Sequence, residues 1–324
     1  MCAEVCKIMG KGLKLLLMKQ FLFTTLFSIF FLSIEAKDFT LVWHVGEKVD
    51  HYWEHDWIDD VLSPFDYDIV VDVDEETLID RAILVLNGNN PTPIVKKYIE
   101  KGLRFGVFHV GDENYAHDTS YYPLAPFVLR APWNKRYQHM PNVLQITLGY
   151  KTGFLKGLGE KELLSASERP YLWSFAGQVT KTTRKLMKKK LLEVRPFSLF
   201  EIATFNDPNS LTTEEYRAQM LSSVFMPCPR GFWNVDTFRL YEGLECGCIP
   251  IVEAGPNDYY ANYMPDHPFL VVNTWDEAPS LMKELIKNPE NLEERRKQCQ
   301  EWWKNYKLSM KESVRKVIVS TFDL

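Results

Sequence analysis

The sequence predicts an α/β fold of two doubly wound halves, each a mostly parallel sheet, facing each other across a cleft. Three observations carry that prediction. At 324 residues the chain exceeds one ordinary core and suits two domains. Beyond residue 38, short β-branched or aromatic runs alternate with helical stretches, as in repeated βαβ units. A charged stretch carrying Gly153, Gly157 and Gly159 separates two such series of similar size, as a linker does.

In the first half, strands are expected at Phe39–Val45, Asp68–Val73, Ala82–Leu86, Arg104–Val110, Phe127–Arg130 and Val143–Leu148. Each is bounded by polar, glycine or proline punctuation. Glu54–Leu62 and Pro93–Lys101 read as helices, with Gly102 closing the second. The second half predicts strands at Leu172–Gly177, Phe197–Ala203, Val224–Met226, Ile249–Val252 and Phe269–Val272. Helices fall at Thr183–Val194, Thr213–Leu221, Thr237–Glu245, Trp275–Lys287 and Leu292–Val319. In such sheets ligands sit outside the carboxyl ends of strands, at helix N-termini.

Composition narrows the function. Lys and Arg total 38 against 43 Asp and Glu, a net charge of −5, the wrong sign for a protein built to grip nucleic acid. Residues 7–19 carry four lysines, and an apolar run from Phe21 to Ile34 follows, with Ala36 beyond it. That is the layout of a secretory signal or short signal-anchor. The expected location is the ER or Golgi lumen, as a type II anchored or cleaved protein, with membrane contact only through this segment. No Asn-x-Ser/Thr sequon occurs, which fits poorly with heavy luminal glycosylation. Cys228, Cys246, Cys248 and Cys299 lie beyond the run and read as one or two disulfides or as buried thiols. The Cys246-Gly-Cys248 pair lacks partners at zinc-like spacing.

The chemistry concentrates in Met226–Val252, a strand, an irregular loop, a helix and a second strand. Asp236 or Asn234 can cap that helix. Arg239 and Glu242 share one face of it, with Phe238, Tyr241 and Leu244 mainly on the packing side. A cation and a carboxylate facing a cleft at a helix start suit a nucleotide diphosphate: the guanidinium meets phosphate and the carboxylate a ribose diol. Read without its flanking motif, the pair is more simply a surface ion pair.

This stretch resembles the exostosin family of glycosyltransferases, nearest to its ribitol xylosyltransferase-like branch. The likeness rests on Cys228-Pro-Arg-Gly231, Asp236-Thr-Phe-Arg-Leu-Tyr-Glu242 and Gly247-Cys-Ile-Pro-Ile-Val252. Upstream it takes in Ser174-Phe-Ala-Gly177 with Arg184, and the run from Phe127-Val-Leu-Arg130 to Leu148-Gly-Tyr-Lys-Thr-Gly153. It covers about two-thirds of the chain by motif. The resemblance implies a GT-B fold, inverting chemistry and a UDP-sugar donor, UDP-xylose or UDP-glucuronate among the candidates. It assigns donor binding to Gly177, Arg184, Arg230, Asp236, Arg239 and Glu242. Retaining GT-B enzymes carry a Glu eight residues before the ribose-binding Glu; that position is Asn234 here, which favours inversion. Glu245 and Glu253 share the spacing, but Glu245 falls a turn late. The implied domains are an acceptor-side domain over 38–150, a linker over 151–170, a nucleotide-sugar domain over 171–295, and a helix over 296–324 packing back on the first.

Glycosyl transfer needs a base for the acceptor hydroxyl and fixed positive charge for the leaving UDP. Base candidates follow the strand Arg104–Val110: His109, Asp112 and Glu113, the carboxylates preferred. The competing reading makes Gly111-Asp112-Glu113 a capped turn. His44 is a runner-up, while His51 and His55 read as surface residues. No prosthetic group and no resident metal are expected. Asp72-Val-Asp74 has the spacing with which GT-A enzymes hold Mn²⁺, which leaves metal dependence open, although an acidic turn is the simpler reading. The lysines of Arg184–Lys190 read as a solvated helix face, and Trp302 and Trp303 as docking residues of the last helix. The partners expected are a UDP-sugar, a glycan acceptor and a homo- or hetero-oligomer with another glycosyltransferase. The rival function is a donor-binding but inactive partner subunit, and the cleft geometry of the base candidates separates the two. A nicotinamide oxidoreductase fails, because Gly46-Glu-Lys-Val follows the first strand instead of a glycine-rich turn.

Overall fold

The computed structural model describes residues 37–44, 52–74, 76–88, 91–159, 163–181, 183–204, 207–256 and 258–324. The signal or anchor read over 1–37, with its lysine flank, lies outside the described residues but for Lys37, as does His51. Among the described residues no helix is long and apolar enough to cross a membrane.

The first sheet joins β1 (Phe39–His44), β2 (Tyr67–Val71), β3 (Ala82–Leu86), β4 (Phe105–His109), β5 (Val128–Arg130) and β6 (Val143–Gln145) in the order β2-β1-β3-β4-β5-β6. The second joins β7 (Tyr171–Gly177), β8 (Phe197–Glu201), β9 (Ser223–Cys228), β10 (Ile249–Glu253) and β11 (Leu270–Val272) in the order β11-β10-β9-β7-β8. Every strand pair among the described residues is parallel. The central strands β3, β4, β9 and β10 are buried along their whole length and read as nearly continuous apolar segments, while the edge strand β2 keeps exposed positions. Renumbered from its own first strand, each sheet begins 2-1-3-4-5, so each has a topological switch point, between β1 and β3 and between β7 and β9. The fold is α/β of the GT-B type. Pro250 sits at the entry of β10, one residue before pairing with β11 begins at Ile251, where a missing N–H is tolerated.

Helices α1 (His55–Leu62), α2 (Thr92–Glu100), α3 (Arg184–Leu191), α4 (Thr213–Leu221), α5 (Phe238–Glu245), α6 (Tyr259–Tyr263), α7 (Ala278–Ile286) and α8 (Pro289–Phe322) cover the sheets. The final helix, expected from Leu292, is a single 34-residue helix. Pro289 opens it, and the Asn288 side chain caps it by accepting the amides of Glu290 and Asn291. Its buried Met310, Val314, Ile318 and Phe322, spaced by four, form one stripe. Phe322 reaches the first sheet, with its ring centroid 5.9 Å from Phe39 and 6.1 Å from Phe127. Burial of each such side chain contributes about 1.5–3 kcal/mol. Trp303 fastens the middle of the helix to both halves: its ring stacks 5.9 Å from Trp57 of α1, and its Nε1 donates to Glu245 of α5 at 2.8 Å. Glu245 also pairs with Lys307 and is a docking residue of α5. Trp302 donates to the Pro265 carbonyl at 3.1 Å.

The stretch expected to be a linker is tied to both halves: Arg169 donates to the Ser223 carbonyl at 2.6 Å and to the Cys246 carbonyl at 2.9 Å, while residues 152 and 153 hold to the first half. The Gly153 amide donates to Asp56 at 2.8 Å, and the Thr152 hydroxyl donates to the Tyr52 carbonyl at 2.6 Å. Cys228, Cys246, Cys248 and Cys299 are buried free thiols, which decides between the two cysteine readings.

Candidate donor and acceptor cleft

A cleft of about 500 Å³ opens between the carboxyl ends of the two sheets. Its wall on the side of the second sheet is built from the end of β7, the start of α3 and the loop leading into α5. Gly177 ends β7 with φ +145°, and a Cβ there would stand 3.4 Å from Arg239 Nη2, so the position favours glycine. Arg239 holds its place by donating to the Ala176 carbonyl at 3.0 Å. Its guanidinium lies 4.4 Å from the centre of the Phe175 ring, and that of Arg184 lies 6.0 Å from it. Burial, and then the neighbouring charge of Arg239, push Arg184 down to about 10. Among the described residues neither arginine forms an ion pair, and both have a buried Nε without a hydrogen-bond partner. Two half-buried like charges beside an open helix start suit an anionic ligand.

Glu242 faces the same cleft. It accepts the Lys151 amide at 3.4 Å and the Tyr216 hydroxyl at 3.2 Å. Burial lifts its carboxyl above the ordinary range, and Arg239 opposes the shift. The packing side of α5 is Leu240, Tyr241 and Leu244. Phe238, read as a packing residue, lines the cleft beside Arg239 and Glu242. Neither Asp236 nor Asn234 caps α5. The cap position is Thr237, which makes no side-chain capping bond, and its buried hydroxyl lacks a partner. Asp236 lines the cleft and accepts hydrogen bonds from Tyr241 at 2.7 Å and Tyr259 at 3.2 Å. Burial outweighs those bonds and pushes its carboxyl up to about 7. The Arg230 side chain does not line the cleft; its amide donates to Glu253 at 3.1 Å. Glu253 also accepts from Trp275 at 2.8 Å and from Thr183, a structural tie at the end of β10.

The three base candidates part company. Glu113 lines the cleft while remaining open to solvent, and partial loss of hydration lifts its carboxyl. Asp112 and His109 are buried below the cleft wall. Asp112 Oδ2 accepts from Arg130 Nη2 at 2.6 Å; burial resists its charge, but Arg130 and the His117 amide hold its carboxyl below the ordinary range. His109 Nδ1 lies 2.6 Å from the Tyr122 hydroxyl, and its Nε2 lies 3.0 Å from His117 Nδ1. Burial and then Arg130 push His109 down to about 3, so the ring is neutral. His109, Asp112 and His117 bring ligand-type atoms within 4.8 Å of one another. The Arg130 guanidinium already meets the trio's only carboxylate, and a divalent cation would add to that positive charge. We therefore read the cluster as a hydrogen-bonded network.

His44 pairs with Asp72 at 3.4 Å, and neither it, Asp72 nor Asp74 lines the cleft. His55, read as a surface residue, is half-buried against Trp43 at 5.6 Å. Trp53, not among the expected site residues, lines the cleft at 38% exposure with Lys151 Nζ 4.6 Å from its ring centre. Phe232, Thr237 and Tyr216, also not expected there, line it as well. Trp53 carried one available signal, an aromatic beside the first helix start. The buried pair Asp112–Arg130 spans two strands and has no local periodicity to reveal it.

A family model for the RXYLT1 C-terminal domain matches residues 155–323, about half of the chain, including the second-sheet wall of the cleft. The chain belongs to that family. Among family relatives, a ribitol-5-phosphate xylosyltransferase 1 of Danio rerio is 25% identical over 171 residues, 48% of this chain and 39% of that protein. The protein of that name from Homo sapiens is 25% identical over 178 residues, with the same shares. The chain thus spans about two-fifths of the length of these relatives, 39%. A solved α1,3-fucosyltransferase covers 80% of this chain and 81% of its own at 13% identity, with a TM-score of 0.47.

Proposed function

We propose that the chain is an inverting glycosyltransferase that moves a sugar from a UDP-sugar to a glycan hydroxyl in the ER or Golgi lumen. UDP-xylose stands first among the donors, because the named relatives are xylosyltransferases, and UDP-glucuronate second. The observation that carries the reading is the convergence of Arg184 and Arg239 beside Gly177 at the switch point of the second sheet. There the two guanidiniums and the uncapped start of α5 meet the diphosphate, and Glu242 meets the ribose diol.

The acceptor oxygen attacks the anomeric carbon as its bond to the β-phosphate oxygen breaks. The acceptor proton passes to Glu113, and UDP leaves with the bond electrons. Arg184 and Arg239 stabilise the charge that grows on UDP, an interaction stronger in the transition state than in the ground state. The raised carboxyl of Glu113 sits closer to working pH, as a general base requires. Inversion is supported by Asn234, which stands where a retaining enzyme carries Glu. The two arginines provide the positive charge that Mn²⁺ provides elsewhere, so we propose turnover without metal.

The test is UDP release by the purified full chain with a panel of UDP-sugars, with EDTA and with Mn²⁺. Hydrolysis or transfer from one donor in EDTA, lost in Arg239→Ala and Glu242→Ala, supports the reading. UDP binding without turnover from any donor turns it into the inactive partner subunit. Absence of binding by a folded chain overturns the donor site.

A further inference from the structure

One hydrogen-bonded contact ties the loop carrying Glu113 to the loop that leads into α5, and the chemistry above makes no use of it. Tyr115 lies two residues beyond Glu113 and is not a cleft-lining residue. Its hydroxyl accepts from Asn234 Nδ2 at 2.6 Å and donates to the Trp133 carbonyl at 3.0 Å. Asn234 is itself fixed at both ends. Its Oδ1 accepts the Asp236 amide at 3.1 Å, and its carbonyl accepts the Gly231 amide at 2.8 Å. Those bonds assign the side-chain amide its orientation, with nitrogen toward Tyr115.

The phenol therefore sits where three segments meet. Trp133 brings the third, packing edge-on to Tyr259 at 5.2 Å and along Tyr263 at 5.9 Å. Tyr115 adopts φ +57°, a left-handed backbone that few residues other than glycine accept. Such a conformation persists where the surrounding contacts over-determine it, and it clusters at working sites. Burial pushes the phenol up to about 12, so the hydroxyl keeps its proton and can both donate and accept near neutral pH.

We propose that Tyr115 is a positioning residue: through its bond to Asn234 it clasps the Glu113 loop to the start of α5, and so sets the base over the bound donor sugar. Its catalytic meaning rests on the transferase reading above. Asn234 thus has a defined task at the position where a retaining enzyme would place a carboxylate.

The experiment is Tyr115→Phe, Asn234→Ala and the double variant, each in the full chain. A base displaced by a fraction of an ångström to an ångström lowers kcat about 10–100-fold. The expected result is that fall in kcat with UDP affinity, read by calorimetry, held within about 3-fold, and with the double variant no worse than the poorer single one. Parallel loss of UDP affinity and kcat would mean a general structural role and overturn the proposal. So would single-variant effects that multiply in the double variant. Hydrogen exchange reads the clasp without turnover. In Tyr115→Phe, exchange is expected to quicken in both residues 111–121 and 231–237. Quickening confined to 111–121 would overturn the clasp. A wild-type chain that releases UDP from no donor would sink the transferase reading, while the exchange result would still decide the clasp.

Discussion

The two sheets share a strand order and put their carboxyl ends to opposite uses. On the first sheet His109 and Arg130, at the ends of β4 and β5, are fully buried. Arg130 finds a carboxylate in Asp112 at 2.6 Å. On the second sheet, Arg184 and Arg239 keep their charges at the cleft and have no carboxylate in ion-pair reach among the described residues. The same residue type is neutralised at one edge and left open at the other. The open edge lies at the switch point between β7 and β9, where diverging connections leave a crevice. The buried network lies off the switch point, at β4 and β5, where loop 111–121 covers the strand ends. Topology supplies the crevice, and the supply of counter-charges decides whether it becomes a core or a site.

That contrast can be broken by substitution. The largest effect is expected at the closed edge. Asp112→Asn leaves the Arg130 guanidinium buried without its counter-charge, which costs about 3–5 kcal/mol, measured by denaturant unfolding. A loss below about 1 kcal/mol would mean that Arg130 relaxes to solvent and that the edge is not closed. Next comes Glu113→Gln, at the cleft side of the same loop. Loss of a general base lowers kcat about 10²–10⁴-fold with little change in melting temperature. An undiminished kcat would return the base assignment to an unnamed group. Arg239→Ala tests the open edge. Removing a charge-assisted bond to phosphate weakens UDP binding by about 1.5–3 kcal/mol, read by calorimetry. Stability should hold or rise, because Arg184 loses a like-charged neighbour; a marked loss of stability instead would make Arg239 a packing residue.

What the sequence made legible follows the same divide. The second-sheet wall of the cleft was readable because its residues are local: Arg239 and Glu242 are three apart on α5, and Gly177 and Arg184 bracket one strand-to-helix turn. The central strands were readable because parallel runs covered on both faces are nearly continuously apolar. The first-half site was less so. Glu113 and Asp112 are adjacent in the chain, yet one lines the cleft and the other joins Arg130, 18 positions away. No local pattern separates them. The pairing of Tyr115 with Asn234 spans 119 positions and leaves no spacing signal. Helix α6 has no clear sequence signal because its five residues, Tyr259–Tyr263, hold too little periodicity, although Tyr259, Tyr260 and Tyr263 sit on one buried side. The capping reading of Asp236 failed because two tyrosine hydroxyls claim its oxygens.

The smallest expected effect is a pH dependence centred on Glu54, which neither closes an edge nor binds a donor. Glu54 is 7% exposed and precedes α1 without capping it. Burial, reinforced by the charge of Glu113, pushes its carboxyl up to about 7. Between the ordinary carboxyl range and that value, the folded chain holds a proton that the unfolded chain releases. Stability is then full at low pH and declines as pH rises through about 7, opposite to the usual salt-bridged acid. Glu54→Gln removes the titration. The variant should match the wild type near pH 4.5 and exceed it at pH 8, with the gap opening over the intervening range. Asp236 is also lifted to about 7 but keeps two tyrosine donors that its amide variant would partly lose, so Asp236→Asn should show a smaller gain or none. A Glu54→Gln gain that is flat with pH would mean that hydrogen bonding or packing, and not ionisation, distinguishes the two side chains.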